Sequence, residues 1–279
     1  MTTTLELAPV TLLSNGVEMP KLGLGTWPMD DAEAARTVET ALDMGYRLVD
    51  TAENYGNEKG VGQGLRASSV PRDEVFVTTK FNKTWHSVEG VRQACEGSLE
   101  RLGLDYLDLL LIHWPNPGQG RYVEAFEGLM KVLDAGLVRA IGVSNFKVTH
   151  LNDLLSRGYV PHVNQIQLDP YHRRDDIVAV HNAHGIITES WSPIGRGGEL
   201  LSDPRVTAAA EAHGVTPGQV VLRWHVQSGY LPAPKSSNPK RLAENLDVFG
   251  FALSEAEMAA MNGMGREDPD MADSDVFGH

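Results

Sequence analysis

Residues 22–51 read LGLGTWPMDDAEAARTVETALDMGYRLVDT. An apolar run at Leu22–Thr26 gives way to a stretch in which Ala34, Val38, Ala41 and Leu42 recur at helical spacing, and a second apolar run follows at Arg47–Thr51. Such spacing lays apolar side chains along one helical stripe, whereas short continuous runs suit strands buried on both faces. Strand, helix and strand in succession make the βαβ unit of a parallel sheet.

The unit repeats. Further apolar runs at Val75–Thr79, Leu107–His113, Val138–Val143, His162–Leu168, Ile186–Trp191 and Leu231–Lys235 bring the count of candidate strands to eight. Helical periods lie between them, as in Ser87–Leu102, where Val88, Val91, Cys95, Leu99 and Leu102 form the stripe. Cap signals agree with these helices: Thr216-Pro217 with Gln219, Asn238-Pro239, and Ser254 with Glu257. Upstream, Asn15-Gly16 between apolar residues predicts a hairpin with a type I′ turn, which needs positive φ at both central positions. No change of composition marks a linker. The pattern predicts one α/β domain over residues 1–279, a (β/α)8 TIM barrel with an N-terminal β-hairpin. A doubly wound sheet is the alternative, but Gly23-Leu24-Gly25 is followed by Thr26-Trp27-Pro28, so the Gly-x-Gly-x-x-Gly turn of that fold is missing.

Composition narrows the functions. At 279 residues the chain can bury a full core without staples. Its net charge of -13 disfavours nucleic-acid or anionic-membrane partners, which need a basic footprint. Cys95 is the single cysteine, which excludes an internal disulfide. It lies on the apolar stripe of its helix and reads as core. The first residues lack the basic and apolar regions of a secretory leader, and no apolar run reaches membrane-spanning length. The expectation is a cytoplasmic protein, with nothing demanding more than a monomer. His181 and His184 share a helix without a third ligand nearby, so no metal is expected. Glu267 to Asp275 is acidic, lacks periodicity and reads as a loop or tail.

Active sites of such barrels lie where the strands end in the C-terminal direction. There the chain offers Asp50 and Tyr55 after the second strand, Lys80 after the third and His113 after the fourth. A phenol near pKa 10 is a proton donor. Lys80, kept charged by Asp50, is expected to lower the pKa of Tyr55, so that Tyr55 gives its proton to a carbonyl oxygen. His113 would orient that oxygen. This is equipment for turning C=O into CH–OH, with the hydride left to a nicotinamide.

Partners for a nicotinamide appear in the second half: Ser144-Asn145, Gln165, and the aromatic plate of Trp191 followed by Ser192. The most basic stretch, Pro234 to Arg241, ends the eighth strand and opens a helix, where a phosphate is commonly bound. Trp27 and Trp114 follow the first and fourth strands and are expected to line the substrate pocket.

With these residues assembled, the chain resembles the aldo-keto reductase family from Gly23 through Asn245. The likeness is carried by Gly45-Tyr46-Arg47-Leu48-Val49-Asp50-Thr51-Ala52 with Tyr55-Gly56-Asn57-Glu58, by the region from Leu104 to Asn145-Phe146, and by Pro234-Lys235-Ser236 with Arg241 and Glu244-Asn245. Length and the Glu189-Ser190-Trp191 run look most like the prokaryotic 2,5-diketo-gluconate reductase branch. The resemblance implies a barrel that binds NADPH or NADP+ in an extended pose, with Asp50, Tyr55, Lys80 and His113 as catalytic tetrad. It implies that Ser144, Asn145 and Gln165 meet the nicotinamide amide and that Trp191 stacks on the ring. Lys235, Ser236 and Arg241 would meet the adenosine 2′-phosphate, and Glu244 and Asn245 the adenine.

The expected activity is NADPH-dependent reduction of small aldehydes, dicarbonyls or keto-sugars. The segments Trp114–Gly120 and Gly263–His279 shape the substrate pocket in the family. The alternative is a cofactor-binding regulatory subunit with little turnover, like the potassium-channel β-subunits, against which the complete tetrad weighs. A lyase or isomerase with a phosphate site leaves Trp191 and Gln165 without a use.

Overall fold

The computed structural model describes residues 7–266, 268 and 271–279. Most of the N-terminal stretch read above, and Glu267, Pro269 and Asp270 of the acidic segment, lie outside the described residues. The chain opens with a hairpin of β1 (Val10–Leu12) and β2 (Glu18–Pro20), paired antiparallel with Thr11 opposite Met19. Its turn differs from the expected type I′. Gly16 has φ 85° while Asn15 stays at negative φ, and Gly16 N–H donates to the Leu13 carbonyl at 2.8 Å. The loop is one residue too long for the two-residue turn, so a single left-handed glycine closes it.

Eight parallel strands follow, alternating with helices: β3 (Leu24–Gly25), α1 (Asp31–Met44), β4 (Leu48–Asp50), α2 (Glu58–Ala67), β5 (Phe76–Phe81), α3 (Val88–Leu102), β6 (Leu107–Ile112), α4 (Tyr122–Asp134), β7 (Val138–Ser144), α5 (Val148–Leu155), β8 (Val163–Gln167), α6 (Asp175–His184) and β9 (Ile187–Trp191). An additional helix, α7 (Pro204–His213), then precedes α8 (Pro217–Gln227), β10 (Leu231–Pro232), α9 (Pro239–Leu246) and α10 (Glu255–Asn262). Strands β3 to β10 pair in sequence order. The ring closes where Gly23 and Gly25 N–H donate to the Pro232 and Pro234 carbonyls at 3.0 and 3.1 Å, and Gly25 bridges Lys235.

The two closing strands are shorter than expected, Leu24–Gly25 for Leu22–Thr26 and Leu231–Pro232 for Leu231–Lys235. Pro232 and Pro234 have no N–H to give, so the ladder there runs one way only.

Side chains alternate across each strand. On β4, Leu48 joins the inner cluster and Val49 the outer one. The inner cluster holds Leu48, Phe76, Leu109, Leu111, Ala140, Val163 and Leu231, together with Leu13 and Met19 of the hairpin. The hairpin therefore plugs the N-terminal end of the barrel. Cys95 is buried, as its stripe implies, and burial pushes its thiol up to about 12. His181 is also buried, with its ring nitrogens bonded to Thr188 and Asn164. Among the described residues no helix is long and apolar enough to cross a membrane.

Helix α2 approaches its neighbours closely enough to require glycine. A Cβ on Gly62 would lie 2.0 Å from the Leu102 carbonyl oxygen at the end of α3. Gly62→Ala is therefore expected to lower stability by about 1–3 kcal/mol, read as a lower urea midpoint with an unchanged slope. An unchanged midpoint would show that the α2–α3 contact gives way freely.

Candidate active site

Lys80 projects from β5 with no exposed surface. A buried ammonium needs acceptors for its protons. Its Nζ lies 2.8 Å from both Asp50 carboxylate oxygens, 2.9 Å from the Thr51 carbonyl and 3.4 Å from the Tyr55 hydroxyl. Asp50 ends β4, and from across the barrel Gln165 of β8 donates its Nε2–H to the same carboxylate at 2.9 Å.

Tyr55 reaches this cluster through a single 3-10 turn, Glu53–Tyr55, closed by Gly56 at φ 68°. Asn57, read above only as part of a motif, fixes that loop. It accepts from the Thr51 hydroxyl at 2.8 Å and donates to the Thr26 and Met29 carbonyls at 3.1 and 2.9 Å. Glu58 holds α2 to the barrel by accepting from Thr79 at 2.6 Å and from Arg101 at 2.5 Å. Glu53 ties in the loop after β5 by accepting from Trp85 Nε1 and Asn82 Nδ2, each at 2.9 Å. Their signal in the sequence was faint: polar residues that fold inward only because partners thirty positions away receive them.

His113 follows β6 and stands edge-on to Tyr55, ring centroids 5.8 Å apart. Burial, reinforced by Lys80 and His279, drives its pKa well below that of a free imidazole, so it is neutral. For Lys80, burial works against the charge, but the Asp50 carboxylate together with Tyr55 and Glu189 outweighs it and the ammonium is held. Tyr55 departs from expectation. Burial, the largest cause, raises its pKa above 10 despite the pull of Lys80, and the Asp50 charge opposes that pull. The hydroxyl is thus a firmly protonated donor through neutral pH, and the Tyr55 and His113 rings converge on one opening at the strand ends.

Beside them a second chain of contacts forms. Asn145 donates to the His113 carbonyl and to Ser144 Oγ, each at 3.1 Å, and its Oδ1 accepts from Trp191 Nε1 at 2.8 Å. Ser144 Oγ donates to the Gln165 carbonyl at 2.9 Å. The four residues expected at a nicotinamide therefore sit together, and the Trp191 indole is fixed in orientation. Both ends of the Asn145 amide are already engaged. Next to Trp191 a cleft of about 380 Å³ is lined by Gln167, Ser192, Gly195, Arg196, Leu200 and Arg266. Arg196, in the left-handed region at φ 55° between Gly195 and Gly197, was not foreseen.

At the opposite end of the cofactor set, Lys235 is 3.5 Å from Glu33 of α1, and Ser236 is buried and accepts from Asn238 N–H at 3.2 Å. Arg241 is exposed on the first turn of α9, Glu244 pairs with Lys240 at 3.7 Å, and Asn245 is buried. Asn238 caps α9 by accepting from Lys240 and Arg241 N–H. A phosphate there would meet side chains more than open helix amides.

The two rim tryptophans differ. Trp27 is 54% exposed, whereas Trp114 is 6% exposed. Trp114 is covered by Phe277, ring centroids 4.8 Å apart. His279 lies edge-on to His113 at 4.8 Å. Residues 271–279 thus run over the opening. Lys147 holds Asp273 and, at 2.7 Å, Asp275; His150 meets Asp275 at 3.0 Å; Lys83 N–H and Nζ donate to the His279 and Gly278 carbonyls at 3.2 and 3.1 Å.

A barrel with a buried Asp–Lys–Tyr cluster beside a fixed indole and amide is the framework of an oxidoreductase. Comparison with known proteins gives its family. The aldo/keto reductase family model matches residues 21–266, and the chain belongs to that family. It is 48% identical over 257 residues to an aldo-keto reductase of Mycolicibacterium vanbaalenii, covering 92% of each chain. It is 48% identical over 259 residues to 2,5-diketo-D-gluconic acid reductase B of a Corynebacterium species, covering 92% of this chain and 94% of the other. Among solved structures, a variant of Gox0644 in complex with NADPH superimposes with a TM-score of 0.92 at 45% identity, covering 97% of this chain and 98% of that one.

The Asp50–Lys80 pair gives a direct test. Lys80→Met leaves a buried carboxylate uncompensated and is expected to cost roughly 3–5 kcal/mol of stability. Asp50→Asn with Lys80→Met should recover most of that loss in urea unfolding. A double variant no more stable than Lys80→Met alone would refute the pairing energetics.

Proposed function

We propose that the protein reduces small aldehydes, dicarbonyls or keto-sugars to alcohols at the expense of NADPH, with Tyr55 as the proton donor, acting as a cytoplasmic, single-domain monomer. The observation that carries this reading is the Lys80 Nζ 3.4 Å from the hydroxyl of Tyr55, whose ring stands edge-on to neutral His113. The residues fit a nicotinamide dinucleotide: an oriented indole and the Gln165 and Ser144 groups lie beside His113, a cleft with Arg196 and Arg266 leads away, Lys235 and Ser236 precede α9, and Arg241 lies on its first turn. When bound, that cofactor supplies the hydride.

The chain's own residues do the rest. His113 points a hydrogen bond at the substrate oxygen and fixes its direction. Tyr55 gives its proton to that oxygen as charge develops there, and Lys80 stabilises the phenolate left behind. Asp50 keeps Lys80 charged, and Gln165 holds Asp50. The sign of the pH dependence follows. A raised phenol pKa keeps the donor loaded from acid through neutral pH, and reduction falls only as pH climbs past about 10. Trp27, Trp114, Phe277 and His279 give the opening aromatic walls, which suits compact carbonyls.

A screen of NADPH oxidation with methylglyoxal, phenylglyoxal, simple aldehydes and keto-sugars tests the activity. Absence of turnover with every one of them refutes it. Tyr55→Phe is expected to lower kcat about 10²–10⁴-fold while NADPH affinity stays close to wild type, since the hydroxyl touches the substrate oxygen and no cofactor anchor. Parallel loss of both would remove Tyr55 from the role. Arg241→Ala is expected to weaken NADPH at least about tenfold, because a charge-assisted hydrogen bond is worth roughly 1.5–3 kcal/mol. NADH, lacking the 2′-phosphate, should change little. Equal losses for both cofactors would make Arg241 a structural residue.

A further inference from the structure

One ionisable group inside the barrel takes no part in the mechanism above. Glu189 lies on β9, opposite Gln165 on β8 and Leu231 on β10. Register partners in a parallel ladder face the same side of the sheet. Gln165 faces inward, since its amide reaches Asp50 across the barrel, and Leu231 belongs to the inner cluster. Glu189 therefore faces inward too, with no exposed surface. Neither of its carboxyl oxygens makes a well-formed hydrogen bond, and the Gln165 amide is the polar group that approaches it.

The charges it meets are few. Asp50 comes from β4, Tyr55 from the turn after it, and Lys80 from β5. Strands β8 and β10 contribute Gln165 and Leu231, which do not titrate. On the other face of β9, His181 of α6 is bonded to Thr188. One ammonium thus faces two carboxyl groups in a space closed below by the hairpin. A second ionised carboxylate there would be a buried charge without a counterion, a costly state that a carboxyl escapes by keeping its proton.

We propose that Glu189 is a positioning residue of the proton-donating site, a neutral carboxylic acid behind the Asp50–Lys80 pair whose ionisation in alkali adds negative charge beside Lys80 and so retains the Tyr55 proton. This rests on the carbonyl-reductase reading. The direction of each effect agrees with the surroundings. Burial, then the Asp50 charge, lifts Glu189 to about 8, and its charged form in turn raises both Lys80 and Tyr55. As pH rises past that point, the acid that Tyr55 must supply is conserved for a further interval.

Glu189→Gln keeps the volume and removes the proton. In profiles of kcat/KM for NADPH-dependent reduction, its alkaline limb is expected about half a pH unit or more below that of wild type, with NADPH affinity unchanged; Glu189→Leu should move the same way. A purely structural residue would lower the whole profile without moving the limb. Superimposable limbs overturn the proposal. If the variants do not fold, the wild-type protein labelled with ¹³C-glutamate decides. Its infrared spectrum at neutral pH is expected to show the isotope-shifted carbonyl band of a protonated carboxyl, and absence of that band overturns the proposal. Wild-type protein that turns over no carbonyl refutes the reductase reading instead, and the infrared band then still judges the state of Glu189.

Discussion

A fully buried lysine ammonium is the constraint around which this barrel is arranged. Lys80 cannot keep its charge in a dry interior without acceptors, and each acceptor specifies a piece of the fold. Asp50 must end its strand one neighbour away, Thr51 must turn its carbonyl inward, and Gln165 must reach from the far side to share the carboxylate. The chain after Thr51 is then committed to the turn that delivers Tyr55, with Asn57 as its fastening. The hairpin plug belongs to the same logic. By sealing the strand beginnings it buries the pair, and the two charges act strongly on one another there.

Much of this could be read from residue order, because barrels announce themselves by repetition. Eight apolar runs with helices between them, and polar residues at their ends, were enough to place Asp50, Tyr55, Lys80 and His113 at one rim. The limits were set by chemistry that periodicity does not encode. The closing strands contract because Pro232 and Pro234 cannot donate. The hairpin turn carries one left-handed residue where two were expected. Residues such as Asn57, Glu58 and Arg196 gain meaning only from partners distant in sequence. The covering of Trp114 depends on Phe277, 163 positions later, a contact that no local pattern signals.

Electrostatics offered the sharpest contrast between a list of residues and their arrangement. An ammonium next to a phenol suggests a lowered pKa, and that inference holds for the pair alone. Once Asp50 is added, its charge opposes the pull of Lys80, and burial, the largest cause, decides the sign for Tyr55. The pull of Lys80 on the phenol is thus present in the resting state but outweighed.

The residues over the opening are fastened differently from the barrel. Phe277, Gly278 and His279 touch His113, Trp114 and Lys83, and the strap is held at its margin by Lys147 and His150. None of these ties belongs to the strand ladder or the inner cluster. Substitutions in the strap can therefore remodel the mouth of the site without drawing on the stability of the core. The buried ammonium cluster and the strap are thus two separately fastened parts, and a change confined to residues 271–279 leaves the ammonium and its acceptors in place.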